Sequence, residues 1–347
     1  MARFFAPRRR WLLGPALLAT LVLGADTLAW RWAEQRLRAG VAAWAEAVHA
    51  RGWSPRWDEP ESGGWPFAAT LTLPEARLSG GEADLPGGLD WQPGRVTLRV
   101  GFRHPRTLVV TAAKEGALRL ATLPPLRYAA GALHARLRLD AAATGADIAA
   151  TGLRFWQEGT PQGALTVGRA TLHIDPAPQP HLTLSASALA LPPPPAGQGW
   201  PLGDAIARLE ADATLSGAFP PVGGVAARAA SWRDSGGSLA VPRLDLAWGD
   251  LTIASSGRFG LDARLQPVAA VTARMTGYDA AVDALRDGGV VAAGPATAIK
   301  AVLGLLAQVP PEGGAPVVEL PLTVQDGLLT AGRIPLARLP PMRWPAG

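Results

Sequence analysis

Apolar residues recur along this chain with two different periods, and the change of period divides it. Residues 11–29, WLLGPALLATLVLGADTLA, form a nearly unbroken apolar run whose single charge, Asp26, sits close to the far end. A bilayer-spanning helix needs roughly 20 such residues. From Trp30 the pattern becomes amphipathic. Trp30, Ala33, Leu37, Val41, Trp44 and Val48 recur at spacings of three and four, while Arg31, Glu34, Arg38 and Glu46 fall off that stripe. This predicts a helix over 30–52. Its stripe is expected to pack on the body, the alternative being a helix lying along a membrane surface.

Beyond residue 52 the period becomes two. Arg95-Val96-Thr97-Leu98-Arg99-Val100 and Leu133-His134-Ala135-Arg136-Leu137-Arg138-Leu139 alternate cleanly, and Leu244, Leu246, Trp248, Leu251 and Ile253 continue the theme. One buried and one wet face per strand is what period two means. With 40 glycines and 33 prolines as punctuation, the prediction is a mainly β protein, a long antiparallel meandering sheet or sandwich behind an N-terminal transmembrane helix. Two short helices are expected in the C-terminal half, near 278–287 and 296–309, the second ended by Pro310-Pro311. Asp326-Gly327 between alternating runs predicts a hairpin. Pro192 to Pro195 and the Ala-Gly-Gln-Gly after them read as a linker over 192–199 between two β-rich parts, 53–191 and 200–347.

The flanks of the apolar run give it an orientation. Arg8, Arg9 and Arg10 close a basic tail over 1–10, which the positive-inside bias keeps in the cytoplasm. Trp11 marks one edge, and Trp30 and Trp32 mark the other, as suits indoles at headgroup level. The expected location is therefore the inner membrane, single-pass, with a periplasmic body and the bilayer itself as a partner. A cleaved signal peptide, with a small-x-small site at Thr27-Leu28-Ala29, is the competing reading.

Charge changes little in this picture. The net charge is +5, and residues 1–38 account for it, with seven arginines against Asp26 and Glu34. The remaining 26 basic and 26 acidic residues cancel, so no surface for a nucleic-acid backbone is expected. The chain has no cysteine, which removes disulfides, thiol catalysis and Cys-based metal sites.

Candidate chemistry is sparse. His49, His104, His134, His173 and His181 form no HExxH, although His173 and His181 could approach across a hairpin beside Asp175. Ser255-Ser256-Gly257 resembles no nucleophile motif, Asp245 and Asp250 match no acid/base pair, and Asp279, Asp283 and Asp287 read as a solvated helix stripe. No catalytic, metal or cofactor site is expected. The body strands are lined mainly by Leu, Val, Ala and Ile, because seven of the 13 tryptophans lie within the first 65 residues. An aliphatic face suits acyl chains, so a lipid or other apolar ligand is the first expectation. An envelope protein that binds a protein partner is the second, and a hydrolase with dispersed residues the third.

Gly64-Trp65-Pro66-Phe67 followed by Leu71-Thr72-Leu73-Pro74 carries a resemblance. So do Leu246-Ala247-Trp248-Gly249-Asp250-Leu251, then Thr276-Gly277-Tyr278, then Asp326-Gly327-Leu328 with the Ile334-Pro335-Leu336 close. In that order they resemble the proteobacterial family called domain of unknown function 2125, over nearly the whole chain past the anchor. The resemblance supplies no catalytic residues. A more distant likeness, to AsmA-like envelope proteins, implies a β-sheet groove for acyl chains between membranes. Trp65, Pro66 and Phe67 are expected to pin the first strand to the preceding helix, and Trp248 to fill the core or a groove wall.

Overall fold

The computed structural model describes residues 10–81, 88–120, 123–139, 145–176, 179–194, 199–218, 220, 223–311, 313–342 and 344. Arg8 and Arg9 lie outside the described residues, as do the side chains of residues 10–20 and 22. Helix α1 (Arg10–His49) runs uninterrupted for 40 residues, about 60 Å at 1.5 Å per residue. The two helical segments read from the sequence are thus one element. Among the described residues no helix is long and apolar enough to cross a membrane, and much of the 11–29 run lies outside the described side chains.

The rest is a single antiparallel sheet. Its first strands are β1 (Trp53–Arg56), β2 (Glu61–Gly63), β3 (Ala68–Gly80), β4 (Leu89–Gly101), β5 (His104–Ala112) and β6 (Glu115–Leu120). Next come β7 (Leu126–Ala129), β8 (Ala132–Arg138), β9 (Ala146–Gln157), β10 (Leu165–Asp175), β11 (His181–Ala190) and β12 (Ala205–Ser216). The last are β13 (Ser238–Trp248), β14 (Leu251–Leu261), β15 (Pro267–Thr276), β16 (Ala307–Gln308), β17 (Val317–Gln325), β18 (Leu328–Ala331) and β19 (Ile334–Arg338). Neighbours in sequence are mostly neighbours in the sheet. β5 and β6 lie end to end along β4, and β7 and β8 lie end to end along β9. β11 pairs directly with β12, so the sheet runs unbroken past the proline block. That connection is tied down at both ends: Leu191 N–H donates to Asp204 O at 2.7 Å, and Trp200 Nε1 donates to Pro192 O at 2.7 Å.

Local chemistry fixes the corners. Asp326 and Gly327 both have positive φ, 51° and 71°, the signature of a type I′ hairpin, and Gln325 faces Leu328 across it. Helix α2 (Val225–Asp234) has no counterpart in the sequence reading. It plugs the end of the β12–β13 connection, where Trp232 is buried and its Nε1 donates to Ser216 O at 2.7 Å. Helix α3 (Tyr278–Asp287) starts at Gly277, whose φ is 71° and whose missing Cβ would sit 1.9 Å from Asp250 O. Helix α4 (Ala293–Leu306) begins earlier than the sequence suggested and passes straight into β16.

One face of the sheet is covered at its two ends, by α4 over β17, where Val318 is fully buried, and by α1 over the first strands. Leu37 and Val41 of α1 close over Ala69, Leu71 and Leu73 of β3 and Val96, Leu98 and Val100 of β4, with Trp30, Ala33, Trp57 and Trp91 packed around them. The amphipathic stripe therefore faces the sheet, not a membrane surface; Trp44, 47% exposed, is the exception. Trp65 and Phe67 do not pin strand to helix, being 50% and 79% exposed. The residues just before them do so. Trp30 Nε1 donates to Gly63 O at 3.0 Å, Ser62 Oγ donates to Glu34 Oε1 at 2.6 Å, and Arg38 Nη2 donates to Ser62 Oγ at 2.8 Å. The Ser62 hydroxyl, and after it Arg38 Nε donating to Glu34 Oε1 at 2.8 Å, hold the Glu34 carboxyl below the usual range.

Candidate functional site

In an antiparallel ladder, residues directly opposite one another share a face. Following the register from the covered end gives a continuous apolar row: Leu71, Leu98, Val110, Ala135, Ile148, Leu172, Leu184, Ala211 and Leu244. A parallel row runs Leu133, Ala150, Ala170, Ala186, Leu209, Leu246, Ile253, Met275 and Val318. Period-two alternation in each strand thus becomes, across the ladder, one aliphatic face.

Burial along these rows changes at the edge of α1. Leu71 is 1% exposed beneath the helix, whereas Leu244 further along is 38% exposed, and Leu182, two residues before Leu184 on the same face, is 37% exposed. Ile148, Leu172 and Leu184 are half-buried. The protein's accessible surface, 22210 Å² for 36.0 kDa, exceeds the roughly 13000 Å² that a compact globular chain of this mass exposes. Toward the other end the face closes again, Val318 of β17 being fully buried where α4 packs on that strand; from β8 to β13 the sheet is one layer thick, with an open aliphatic trough on one side. Those six strands, about 4.8 Å apart, span roughly 24 Å. Trp248 closes one border of the trough, with Ile206 opposite it and its Nε1 donating to Gly203 O at 2.7 Å. Ser255 is the polar member of its row, and its hydroxyl is taken up by Leu244 O at 3.1 Å.

The other face is polar, and from β9 onward several of its charges are paired with one another. His173 Nδ1 lies 2.6 Å from Asp147 Oδ1, and His181 Nε2 lies 2.6 Å from Asp212 Oδ1. Each histidine is thus held by an aspartate of the flanking strand, and His173 faces Thr183 across the β10–β11 hairpin. Arg243 joins Glu210 to Asp245, and Arg274 Nε reaches Glu319 Oε2 at 2.7 Å. Asp283 of the acidic helix stripe takes Lys300 Nζ at 2.7 Å and Arg286 Nη1 at 2.9 Å; the lysine holds its carboxyl below the usual range. Among the described residues no three His, Cys, Asp or Glu side chains gather as metal ligands would. A hollow of about 550 Å³ on the polar face lies over the β13 bulge at Pro242, lined by Thr214, Ala240 and Thr272.

A small cleft of about 240 Å³ holds the most buried carboxylate of the polar face, Asp90. Arg77 clasps it with both nitrogens, Nε to Oδ1 at 3.0 Å and Nη2 to Oδ2 at 2.6 Å. The guanidinium holds the Asp90 carboxyl below the usual carboxylate range. A depressed folded-state pKa means that the stabilisation is present above the unfolded value and lost as pH falls through the folded one. The Asp90→Asn variant is therefore expected to lose about 1.5–3 kcal/mol at neutral pH. Its urea midpoint is expected to converge with that of the parent in acid, where the parent aspartate is protonated too. A gap that persists unchanged at low pH would assign the loss to packing rather than charge.

Fold and surface together define a class: a single-layer, meandering β-sheet protein with an N-terminal helix capping one end of an open aliphatic trough. The chain belongs to the family described as "Uncharacterized protein conserved in bacteria (DUF2125)", which matches residues 30–340. No curated protein and no solved structure matches it.

Sequence reasoning missed how charge is distributed in space. The body is neutral as a whole, yet residues 91–139 carry nine basic residues against the single acid Glu115. The fold draws five of these arginines together. Arg99 and Arg136 flank Val109 in one polar row, Arg138 faces Thr107, and Arg103 and Arg106 sit at the β4–β5 turn and the start of β5. All five are exposed. A windowed charge count would have found them.

Proposed function

We propose that this chain is a membrane-anchored periplasmic protein of the cell envelope that binds or carries a lipid in its trough, without enzymatic activity. The observation that carries the reading is the aliphatic face left uncovered from β8 to β13. Burial of acyl methylenes there is worth about 0.8 kcal/mol each. The trough's length of roughly 24 Å exceeds the ~15 Å that one leaflet's chains occupy. The apolar run at 11–29 and the arginines before it support the anchor and its orientation. Native mass spectrometry of the full chain, extracted in mild detergent, is expected to show lipid-sized adducts. A bare polypeptide mass under conditions that keep lipids on a control lipid carrier would refute the reading.

The orientation has its own test. Replacing Arg8, Arg9 and Arg10 together with glutamate is expected to give mixed topology in a protease-accessibility assay on spheroplasts. An unchanged single orientation would contradict the role given to these residues.

A second reading, docking of an envelope protein, is favoured by one observation. Helix α4 and its exit present Val302, Leu305, Leu306 and Val309 to solvent, with Leu305 87% exposed. Stoichiometric co-purification of one protein that is lost on Leu305→Asp, with no lipid adduct, would favour this reading over the first.

A further inference from the structure

We propose that the rim made by the 64–67 loop and the β4–β5 hairpin is a second membrane contact, which seats the sheet on the anionic headgroups of the bilayer entered by α1. The inference rests on the anchor reading given above and adds a surface that neither the apolar run nor the trough accounts for.

Position is the first support. Trp30 Nε1 donates to Gly63 O at 3.0 Å, so the Gly64-Trp65-Pro66-Phe67 loop is bonded to α1 at the residue where the apolar run ends. From there α1 follows β3 into the body, ending at His49, near which Trp53 pairs with Gly80. The earlier part of α1 therefore leaves the sheet at the loop's end. The β4–β5 hairpin lies at the same end: Phe102 N–H donates to Phe67 O at 3.3 Å, and Ala68 pairs with Gly101.

Exposure is the second. Phe67 is 79% exposed, Trp65 50% and Trp32 64%, although the protein has buried every large side chain of neighbouring β3 that faces α1. Aromatic side chains displayed around the exit of a membrane helix are what headgroup-level anchors look like.

Charge is the third. Arg99, Arg103, Arg106, Arg136 and Arg138 surround the same strand ends. Among the described residues none of them has a carboxylate partner. Asp147, opposite Arg136 in the ladder, is taken by His173. Elsewhere on the polar face Arg77, Arg243 and Arg274 are paired with acids. Unpaired cations beside exposed aromatic rings suit phosphate headgroups, with each arginine near an anionic surface worth about fivefold in binding. Held this way, the strands meet the membrane end-on, and the trough begins at the leaflet from which a lipid would come.

The absence of cysteine makes single-site labelling clean. The full chain carrying Phe67→Cys, Arg103→Cys or Thr183→Cys, each with a nitroxide label, is reconstituted into nanodiscs of phosphatidylcholine alone or with about a third phosphatidylglycerol. Oxygen accessibility is expected to place the Phe67 label in lipid and the Arg103 label at headgroup depth in the anionic discs, with the Thr183 label in water. The triple variant Arg99→Glu, Arg103→Glu, Arg106→Glu is expected to lift the Phe67 label out and to erase the difference between the two lipid mixtures. A Phe67 label that stays aqueous in anionic discs, or becomes shielded by a co-purified protein or nucleic acid instead of lipid, overturns the proposal. Alkaline extraction of membranes tests the anchor separately. A chain that resists extraction while its Phe67 label is aqueous defeats the rim alone. A chain that is extracted, yet floats with anionic and not with neutral vesicles, defeats the anchor and leaves the rim. A chain that is extracted and floats with neither defeats both.

Discussion

The Leu71→Ala variant is expected to lose about 2–5 kcal/mol and to loosen the whole covered end of the sheet. Leu71 is 1% exposed and lies between α1 and the β3–β4 ladder, packed with Leu37 and Val41. Truncating it removes transfer free energy and leaves a cavity that flanking strands cannot close. Hydrogen exchange is the readout, because stability varies along a structure of this shape and opening is local. Protection is expected to fall across α1 from Ala33 onward and across β3 and β4. The matched change Leu182→Ala, on the open face, is expected to alter stability by less than about 0.5 kcal/mol. Equal losses at both sites would mean that the far part of the face is as enclosed as the near part.

The double variant Leu172→Asp, Leu184→Asp is expected to abolish lipid adducts while the sheet stays folded. The two leucines face each other across β10 and β11 in the middle of the trough. Solvent reaches both, so the carboxylates remain hydrated in the empty protein. An acyl chain laid over them would strip that hydration at a cost of several kcal/mol, lowering occupancy more than tenfold. The control is one residue away. Thr171 and Thr183 precede these leucines and point to the opposite face, so Thr171→Asp with Thr183→Asp is expected to leave the adducts unchanged. Loss of adducts in both pairs would point to a general disturbance of the sheet.

How much of this could be read from the amino-acid sequence follows from what a period reports. Alternation is local, so strands such as Arg95 to Val100 and Leu133 to Leu139 were legible, as were the Asp326-Gly327 hairpin and the helices at 278–287 and near 296–309. Helix α2 was not, because Val225 to Asp234 carries alanines and arginines all round and has no apolar stripe. The choice between a sheet and a sandwich was not legible either. It depends on whether Leu172 meets a second layer, and that is a property of the register and not of any one strand. The proline block looked like a break because rigid residues interrupt the alternation, yet Leu191 and Trp200 tie its flanks into one ladder. The strand is pinned to α1 not by the large aromatics Trp65 and Phe67, as expected, but by the smaller Ser62 and Gly63, whose hydrogen bonds leave no mark in the apolar pattern. The arginine cluster vanished in a whole-chain tally, since acids of the later strands cancel it arithmetically without lying near it.

The trough can be tested most directly inside the cell, with a photo-activatable phenylalanine analogue placed at Leu184 and, separately, at Thr183. Adjacent strand residues point to opposite faces, so the two probes differ in environment by one step of sequence. Irradiation is expected to produce lipid adducts, detected by mass, at position 184 and none at 183. Protein cross-links at 184, or the same products at both positions, would contradict a lipid-bearing apolar face.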